Sequence, residues 1–591
     1  MTKKNAPSEE GTPVEAETNL PGESAANTDY TGKSPNDEFP AQPLLKDPKD
    51  IGRLLNLFRD VFGTDGSEEG DRAAFLRIVN DRKTLAAERN EQGAYFIAER
   101  LREDGDFLVD DLGEGFFAEV PEDGQPCHLL AVEDGETSPF VMHLHKRFGL
   151  SRSIHSVAFG RVFEHIRFTL HNLKPSTVKS GSYYDVKNQR VFIDRYDGWM
   201  YVLDGLDVHT QAVGARIDGD GNRVWFYPRP PRSEYPKPFT YIKDYIPGIA
   251  VDHVGTGPNL ESPEDAECVR HMLFTWVLAQ FLYECLSVRP VVGIFGPENA
   301  GKSEWQNRVN ALMYGVPYDS LPSLPADDRE YKAVVYRSRL SLFDNAGAFP
   351  AKVQDLLCQS ATGGLSKMRK MHTNFGTEMV ALSSSVAVSG LSARGLQSDL
   401  TSRMLLVNAM SFDPSVHTPV PQSELQRVAL DGRDYHLSEM MDIINRLLLS
   451  RLDGETGERA HRTRFGDFES LLYETAALIP EFDAVKTVQY ISRAKAGIDR
   501  RNNPLIDKIV QLVETRPDVA GEFNKTGDLY EYLRIFGNLG SIKNGRDLGS
   551  QLCKLKSNGS FEHAGVTAES KIVHKANQWC FSRRDSGPED N

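Results

Sequence analysis

The sequence has few cysteines and no long apolar run. Six cysteines are scattered over 591 residues, with no Cys-x-x-Cys pair and no histidine spacing that completes a zinc site. This pattern argues against a structural zinc module and predicts reduced core thiols. No run of about 18 apolar residues occurs, and the first residues contain no apolar segment typical of a secretory signal. We therefore expect a cytoplasmic protein that does not associate with membranes.

Positive charge is scarce as well. The chain has 84 Asp and Glu residues against 68 Lys and Arg, which gives a net charge of −16. No global positive field attracts nucleic acid, so any DNA contact has to come from local basic patches. At about 100–200 residues per domain, the length predicts several domains. Residues 1–45 contain almost no large apolar side chains and predict a disordered acidic tail.

The chain is organised around residues 291–312. An apolar run, VVGIF, predicts a buried strand, and the pattern G-x-x-x-x-G-K-S and a segment with helical apolar spacing follow it. The glycines let backbone N–H groups turn toward a phosphate chain, the lysine can reach its β- and γ-phosphates, and the serine can ligate Mg²⁺. The sequence therefore predicts a binding loop for ATP and Mg²⁺, made of Gly296, Pro297, Glu298, Asn299, Ala300, Gly301, Lys302, Ser303 and Glu304.

A second strand, RLSLFDN at 339–345, ends in Asp344, about forty residues past Lys302. At that separation a parallel strand can lie beside the first one, and its terminal carboxylate would meet the Mg²⁺ held by Ser303. Asn345 follows, where many P-loop ATPases have Glu. An amide can orient a water but cannot take its proton, so Asn345 leaves the base for hydrolysis open.

Two further segments carry polar residues that suit a phosphate site. The sequence ATGG at 361–364 leads into a basic run that predicts either a loop gripping polynucleotide phosphates or a solvated basic turn, and its cations are Lys367, Arg369 and Lys370. Next, EMVALSSS at 378–385 predicts a strand that ends in hydroxyl groups. Ser384 and Ser385 are then expected to contact the γ-phosphate or its attacking water.

Arg403 directly precedes another predicted strand, 404–407. This position suits an arginine finger that reaches the ATP of a neighbouring subunit. Asp399 precedes Arg403 by four residues, so an internal ion pair at helical spacing is the alternative. The residues alone do not separate the two interpretations.

Residues 46–250 predict an N-terminal α+β region. It begins with an amphipathic helix at 47–64, either simply tethered or docking a partner, and it continues with helices and short strands between turn signals. The D-x-D matches at 104–106 and 218–220 have a central Gly and polar flanks, which predicts turns rather than a polymerase metal site. The scattered histidines of this region do not predict a metal site either.

The C-terminal part predicts helices over 416–500, a lid or linker, and then a separate domain at 501–591. Its three helical patterns and two β-like runs predict a winged-helix-like fold. Basic residues exceed acidic ones over 541–584, so Lys554 and Lys556 are expected to contact duplex DNA. The alternative is a basic domain that docks another protein.

Taken in order, GPENAGKS, Asp344-Asn345, ATGG with its basic run, and SDLTSR resemble the AAA+ ATPases of superfamily-3 helicase type, notably the phage-primase-like ATP-binding proteins of phages and mobile elements. The resemblance covers about 290–410 and is weaker over 107–250. It implies an α/β, RecA-like P-loop AAA+ core at 251–415, a ring of subunits, commonly six, Mg²⁺-ATP hydrolysis, and single-stranded DNA in the pore.

The resemblance also implies roles by position. Asp344 would hold Mg²⁺, Arg403 would be the finger, and Ser385 would take the sensor position, where the family usually has Asn. The basic run at 367–370 would face the DNA. We therefore expect a DNA motor ATPase that forms a homo-oligomeric ring, a replicative helicase of a phage or mobile element. The alternative is a slowly hydrolysing, nucleotide-gated switch or scaffold in defence or signalling.

Overall fold

A computed structural model describes residues 67–119, 127–217, 222–227, 236–318, 321–336, 338–347, 349–369, 377–413, 415, 418–454, 463–537, 539, 542–557, 561, 566–573 and 576–583. The predicted acidic tail, the helix predicted at 47–64, the D-x-D at 218–220 and Lys370 lie outside these residues. The chain divides into two compact units, Met1–Ala74 and Phe75–Asn591. The first helix, α1 (Glu68–Asn80), begins in the first unit, and all later elements belong to the second.

The first part of the second unit is α+β, with helices and short strands where the sequence predicts them. Its elements are α2 (Ala86–Asp104), β1 (Gly105–Val109), β2 (Gly115–Glu119), β3 (Leu129–Ala131), α3 (Pro139–Phe148), α4 (Ser156–His171), β4 (Thr177–Lys179), β5 (Ser182–Asp185), β6 (Arg190–Asp194), β7 (Trp199–Leu203), β8 (Val208–Ala212) and β9 (Val224–Phe226). Strands β1–β3 form an antiparallel sheet, β5–β8 form an antiparallel meander, and β4 pairs with β9 in parallel.

Aspartates fix the turns of the β5–β8 meander. Asp185 Oδ1 accepts the N–H groups of Lys187 and Asn188, at 3.1 and 3.2 Å. Asp204 does the same for the two residues that follow Gly205, which has a φ of 90°. A carboxylate that satisfies the turn N–H groups in this way offsets the loss of ladder hydrogen bonds, so each chain reversal occurs at a defined residue.

The central strands of the meander, β6 and β7, are buried on both faces. On β6, Val191 and Ile193 belong to the large core cluster that also contains β10 and α-helical residues around Trp276. Phe192 points the other way, into a separate cluster with Phe116 of β2 and with β9. Because successive side chains of a strand alternate between faces, one short apolar run supplies two cores. The meander therefore shares a hydrophobic core with the central part of the chain.

The central part is a mixed α/β core. Its elements are α5 (Ile249–Gly255), α6 (Pro263–Leu278), β10 (Val291–Phe295), α7 (Lys302–Tyr314), α8 (Asp328–Val335), β11 (Leu340–Phe343), α9 (Ala351–Thr362), β12 (Leu365–Arg369), β13 (Thr377–Ala381), β14 (Ser385–Gly390), α10 (Ser398–Thr401) and β15 (Met404–Asn408). Four strands form a parallel sheet in the order β11-β14-β10-β15. All five residues of β10 are buried, as a strand covered on both faces requires.

Two predictions about this sheet are wrong. Strand β11 does not lie beside β10, because β14 pairs with both and separates them. The segment 378–385 is not one strand either. Its first half belongs to β13, which pairs with β12 in an antiparallel hairpin, while Ser385 begins β14. A hairpin is therefore inserted between β11 and the strand that joins the sheet.

Helices dominate the remainder of the chain. The elements are α11 (Gln422–Asp431), α12 (Arg433–Leu452), α13 (Gly466–Leu478), α14 (Ala484–Asn502), α15 (Pro504–Thr515), α16 (Pro517–Ala520), β16 (Asn524–Lys525), α17 (Thr526–Ile535), α18 (Gly545–Ser557), β17 (Val566–Val573) and β18 (Ala576–Arg583). Apolar residues of α12–α14 belong to the large core, whereas the elements from α15 onward have their own core and a three-stranded sheet, β16-β18-β17. Among the described residues, no helix is long and apolar enough to span a membrane.

Candidate functional site

The loop between β10 and α7 follows a path that only particular residues allow. Asn299 and Gly301 have positive φ angles of 56° and 78°, and α7 begins directly after Gly301. A Cβ atom on Gly301 would lie 2.1 Å from the carbonyl oxygen of Gly257, and one on Gly296 would lie 2.1 Å from that of Ala409. Both glycines are therefore required by close backbone contacts as well as by conformation.

Segments on either side hold this loop in place. Asn259 N–H donates to the Ala300 carbonyl at 3.0 Å, and Phe412 N–H donates to the Asn299 carbonyl at 2.9 Å. The Ser411 hydroxyl donates to the Glu298 carbonyl at 2.9 Å. Since these contacts use carbonyl groups of the loop, they leave its N–H groups available for an anion at the start of α7.

Lys302 lies across the loop. Its Nζ donates to the Gly296 carbonyl at 2.9 Å and also to the Pro297 carbonyl. Burial lowers the pKa of Lys302, and the nearby carboxylates of Asp344 and Glu298 oppose this shift. An ammonium group held by carbonyl oxygens at the mouth of the loop can exchange them for phosphate oxygens.

Ser303, Asp344 and Ser389 meet beside the loop. The Ser303 hydroxyl donates to Asp344 Oδ2 at 2.7 Å, and the Ser389 hydroxyl donates to Asp344 Oδ1. Asp344 follows the last residue of β11, and Ser389 is the penultimate residue of β14. The carboxyl ends of parallel strands lie at one edge of a sheet, which is where open α/β sheets bind ligands.

These oxygens fit a magnesium ion. Adjacent ligands of an octahedral Mg²⁺ with bonds of 2.0–2.1 Å lie about 2.9 Å apart, close to the separation of Ser303 Oγ and Asp344 Oδ2. Mg²⁺ typically takes one or two protein oxygens and completes its shell with water and phosphate. No group of three or more His, Cys, Asp or Glu residues within the described ranges could hold a metal ion.

The side chains of Asn345 and Glu304 differ in whether neighbouring protein groups already bind them. Asn345 is exposed, has a φ of 54°, and directs its N–H to Asp344 Oδ1 at 2.8 Å. Glu304 accepts from Arg308 at 2.7 Å and from the Tyr318 hydroxyl at 3.1 Å. The Glu304 carboxylate is thus held by two neighbouring side chains, whereas the Asn345 side chain is exposed to solvent next to the Asp344 carboxylate.

Ser385 does not take the predicted position. It is the first residue of β14, pairs with Leu340, and donates its N–H to the Arg339 carbonyl at 2.8 Å. Ser384 is buried at the same end and shares a hydrogen bond of 2.8 Å with Ser341. Four residues of strand, about 13 Å, separate Ser385 from Ser389. The serine hydroxyl at the strand ends beside Asp344 is therefore that of Ser389.

The sequence contains a signal for Ser389 that the interpretation of 378–385 obscured. Val386–Val388 is a run of three apolar residues, followed directly by Ser389 and Gly390. This resembles the RLSLFDN segment, in which an apolar strand ends in a polar residue. The sequence therefore contains a pattern that indicates Ser389. The segment that forms the preceding hairpin is equally apolar, so the pattern alone does not identify which run ends at the site.

We expect substitution of Ser389 to impair hydrolysis and substitution of Ser385 to leave it intact. Ser389→Ala removes a hydrogen bond to the carboxylate that would hold the metal, and losses of such supporting contacts typically cost 10–100-fold. Ser385→Ala is the matched control, with turnover expected within twofold of wild type. ATP turnover at saturating substrate measures both, with thermal midpoints as a check on folding. Wild-type turnover in both variants would mean that neither hydroxyl contributes to hydrolysis.

Arg403 lies at the opposite ends of the strands from Asp344, where β10 and β15 begin. Its carbonyl accepts from the N–H of Val291, the first residue of β10, at 2.9 Å. Its side chain is only 13% exposed and forms an ion pair with Asp399. Burial raises the pKa of Asp399, but the hydrogen bonds and charge of Arg403, with Arg464 3.2 Å away, lower it overall. The alternative of an internal pair is thus present, and the finger role stays a prediction.

The predicted DNA contacts lie in two separate places. Lys367 and Arg369 lie in strand β12 rather than in a loop. Lys554 is exposed on α18. Lys556 is half-buried, with its Nζ 3.2 Å from Ser570 Oγ and 5.8 Å from the centroid of the Trp579 ring. Of the two C-terminal lysines, Lys554 is the one open to a partner.

Comparisons with known proteins give only distant likenesses. No protein-family model matches the chain, and no curated protein matches it. It is similar to a structure described as the SCCmec type IV Cch active helicase, with 12% identity and a TM-score of 0.41 over 81% of this chain and 92% of that one. It is also similar to an apo form of the NrS-1 C-terminal region, with 9% identity and a TM-score of 0.33 over 81% and 96%. Likenesses at these values do not define a fold, so the interpretation rests on this chain's own geometry.

Proposed function

We propose that this protein is a P-loop ATPase of AAA+ type that couples Mg²⁺-ATP hydrolysis to work on DNA, as a ring-forming helicase of superfamily-3 type. The observation that supports it best is the meeting of Ser303, Asp344 and Ser389 beside a glycine-bounded loop that leads directly into Lys302. These groups come from three different elements, so their meeting is not a consequence of sequence proximity. A serine after the loop and a strand-end aspartate are the residues that hold Mg²⁺ in P-loop phosphoryl transfer, and Ser389 would orient the aspartate.

In the proposed mechanism the chain's own residues bind and orient the reactants. Loop N–H groups and Lys302 would hold the phosphates, and Ser303 and Asp344 would hold Mg²⁺, which would supply charge neutralisation at the phosphates. The water oxygen bonds to the γ-phosphorus as the bond to the bridging oxygen of ADP breaks, and one water proton ends on the released phosphate. Asn345 can orient this water but cannot take its proton.

The DNA part of the proposal starts from the hairpin of β12 and β13, which lies between β11 and β14 in the chain and whose sequence contains the basic run at 367–370. The hairpin leads into the start of β14, and the far end of that strand holds Ser389 beside Asp344. A change at the phosphate site would reach the hairpin through β14. The winged-helix-like assignment of 501–591, with Lys554 exposed on α18, remains part of the proposal.

One observation favours the second candidate function. Asn345 is the exposed residue next to the Asp344 carboxylate, and it cannot act as a base. A protein with this amide could bind ATP and hydrolyse it slowly, acting as a nucleotide-gated switch or scaffold. The two candidates differ in whether DNA stimulates turnover.

The test is ATP turnover with and without single-stranded DNA. We expect clear stimulation by DNA in wild type and no turnover above background in Lys302→Ala. Lys486→Ala, which changes a lysine 56% exposed on α14, is the matched control and should resemble wild type. Tight ATP binding with slow turnover indifferent to DNA would favour the switch. If stimulation is found, unwinding of a forked duplex tests the helicase activity itself.

A further inference from the structure

The loop that follows Ser389 contains Arg394 and begins at the strand ends where Ser303, Asp344 and Ser389 meet. Strand β14 ends at Gly390, and residues 391–397 continue from that end toward α10. Ser389 contacts the Asp344 carboxylate, and Ala346 N–H donates to the Ser389 carbonyl at 2.7 Å. The loop therefore starts within hydrogen-bonding contact of the segment that would hold the metal.

A buried glutamine fixes the far half of this loop. Gln354 of α9 is 3% exposed, and its Nε2 donates to the carbonyls of Phe349 and Gly395 at 2.7 and 2.9 Å. Its Oε1 accepts from Gln397 N–H at 2.7 Å. The amide nitrogen and oxygen of this side chain thus each hold one residue of the loop, Gly395 and Gln397. The exposed tip around Arg394 is consequently presented by a rigid base.

Arg394 is poised as a charged group without a structural task. Its backbone N–H donates to Ser392 Oγ at 3.2 Å, and its side chain is exposed. Within the described ranges its guanidinium forms no hydrogen bond or ion pair. Arg403, by contrast, lies at the opposite ends of the strands and is paired with Asp399. The loop begins at the strand ends, where open α/β sheets bind ligands, and its exposed arginine is available to such a ligand.

We propose that Arg394 contacts the γ-phosphoryl group in the transition state of hydrolysis in its own subunit and stabilises that state in cis. The inference rests on the proposed ATPase function and adds a residue to it. Lys302 lies near two carboxylates, Asp344 and Glu298, so a second cation would offset charge that a single lysine cannot. An arginine placed in cis or in trans contributes about 10³–10⁵-fold in related chemistry.

The test uses Arg394→Ala and Arg394→Lys in the full chain. We expect Arg394→Ala to lower kcat by at least about 10²-fold while the affinity for a fluorescent ATP analogue changes less than threefold, because a contact made in the transition state does not affect binding. Arg394→Lys keeps the charge but loses the planar fork and should lose about tenfold. Arg427→Ala, at an exposed and ion-paired surface arginine, is the matched control.

Mixing variants separates action in cis from action in trans. Mixtures of Arg394→Ala with Lys302→Ala contain no subunit that has both groups, so they should stay inactive. Recovery of turnover in that mixture, or turnover of Arg394→Ala within twofold of wild type, would overturn the inference and leave the ATPase proposal standing. Wild-type turnover no higher than that of Lys302→Ala would overturn both.

Discussion

Asp344→Asn is expected to lower ATP turnover by about 10³-fold. The substitution keeps the shape of the side chain but removes the negative charge that would hold Mg²⁺ together with Ser303. Metal-ion catalysis contributes several kcal/mol to transition-state stabilisation, and about 4 kcal/mol corresponds to this factor. Release of inorganic phosphate at saturating ATP and Mg²⁺ measures the effect. Raising the Mg²⁺ concentration should recover part of the loss, because weaker binding of the metal is its cause.

The control for this variant is Asp431→Asn. Asp431 lies on α11, its side chain is 67% exposed, and its partner Arg427 also pairs with Glu424. Removing one exposed carboxylate there should leave turnover within twofold of wild type. A wild-type rate for Asp344→Asn would show that the Ser303–Asp344 contact has no part in catalysis.

Arg339→Leu is expected to lower the thermal midpoint by at least about 5 °C. The side chain is buried at the start of β11, where its guanidinium donates to the carbonyls of Ser180 and Ser182, at 2.9 and 2.6 Å, and to that of Gln280. Leucine would remove all three of these hydrogen bonds, although Ser182 N–H still donates to the Ser180 carbonyl and the Ser182 hydroxyl to that of Gln280. Hydrogen bonds from a charged donor are worth about 1.5–3 kcal/mol each before relaxation. Each kcal/mol shifts the midpoint of a unit of 150–250 residues by roughly 2–4 °C.

Arg427→Leu serves as the matched control, because its side chain is 59% exposed. Arg339→Lys is informative as well, since an ammonium group cannot reach three carbonyls from one planar fork and should restore only part of the midpoint. Scanning calorimetry of all three variants gives the comparison. An unchanged midpoint for Arg339→Leu would mean that the meander and the parallel sheet do not depend on this side chain.

The sequence predicts the parts of the site that are local. The strand, loop and helix around Lys302 depend on residues adjacent in the chain, and the Asp399–Arg403 pair follows from helical spacing. Asp344 could be placed near Ser303 because it ends an apolar strand after a phosphate loop. These features need only short-range periodicity and the chemistry of side chains.

What the sequence does not predict is the order of strands in the sheet. Periodicity identifies apolar runs, but it does not tell whether 378–382 or 386–388 joins the sheet, and that choice decides between Ser385 and Ser389. The separation of β11 from β10 is equally non-local, because β14 follows β11 in the chain and inserts between the two. The same holds for β6, whose alternating residues pack into two different hydrophobic cores, each with residues that are far from β6 in the sequence.

The sharing of one core between the β5–β8 meander and the parallel sheet affects how this protein can change in evolution. Here Val191 and Ile193 of the meander pack in the same interior as β10, and Arg339 joins the two through backbone carbonyls. A foreign upstream region would have to bring a complementary apolar face, so the two parts are expected to be inherited together and to vary in concert.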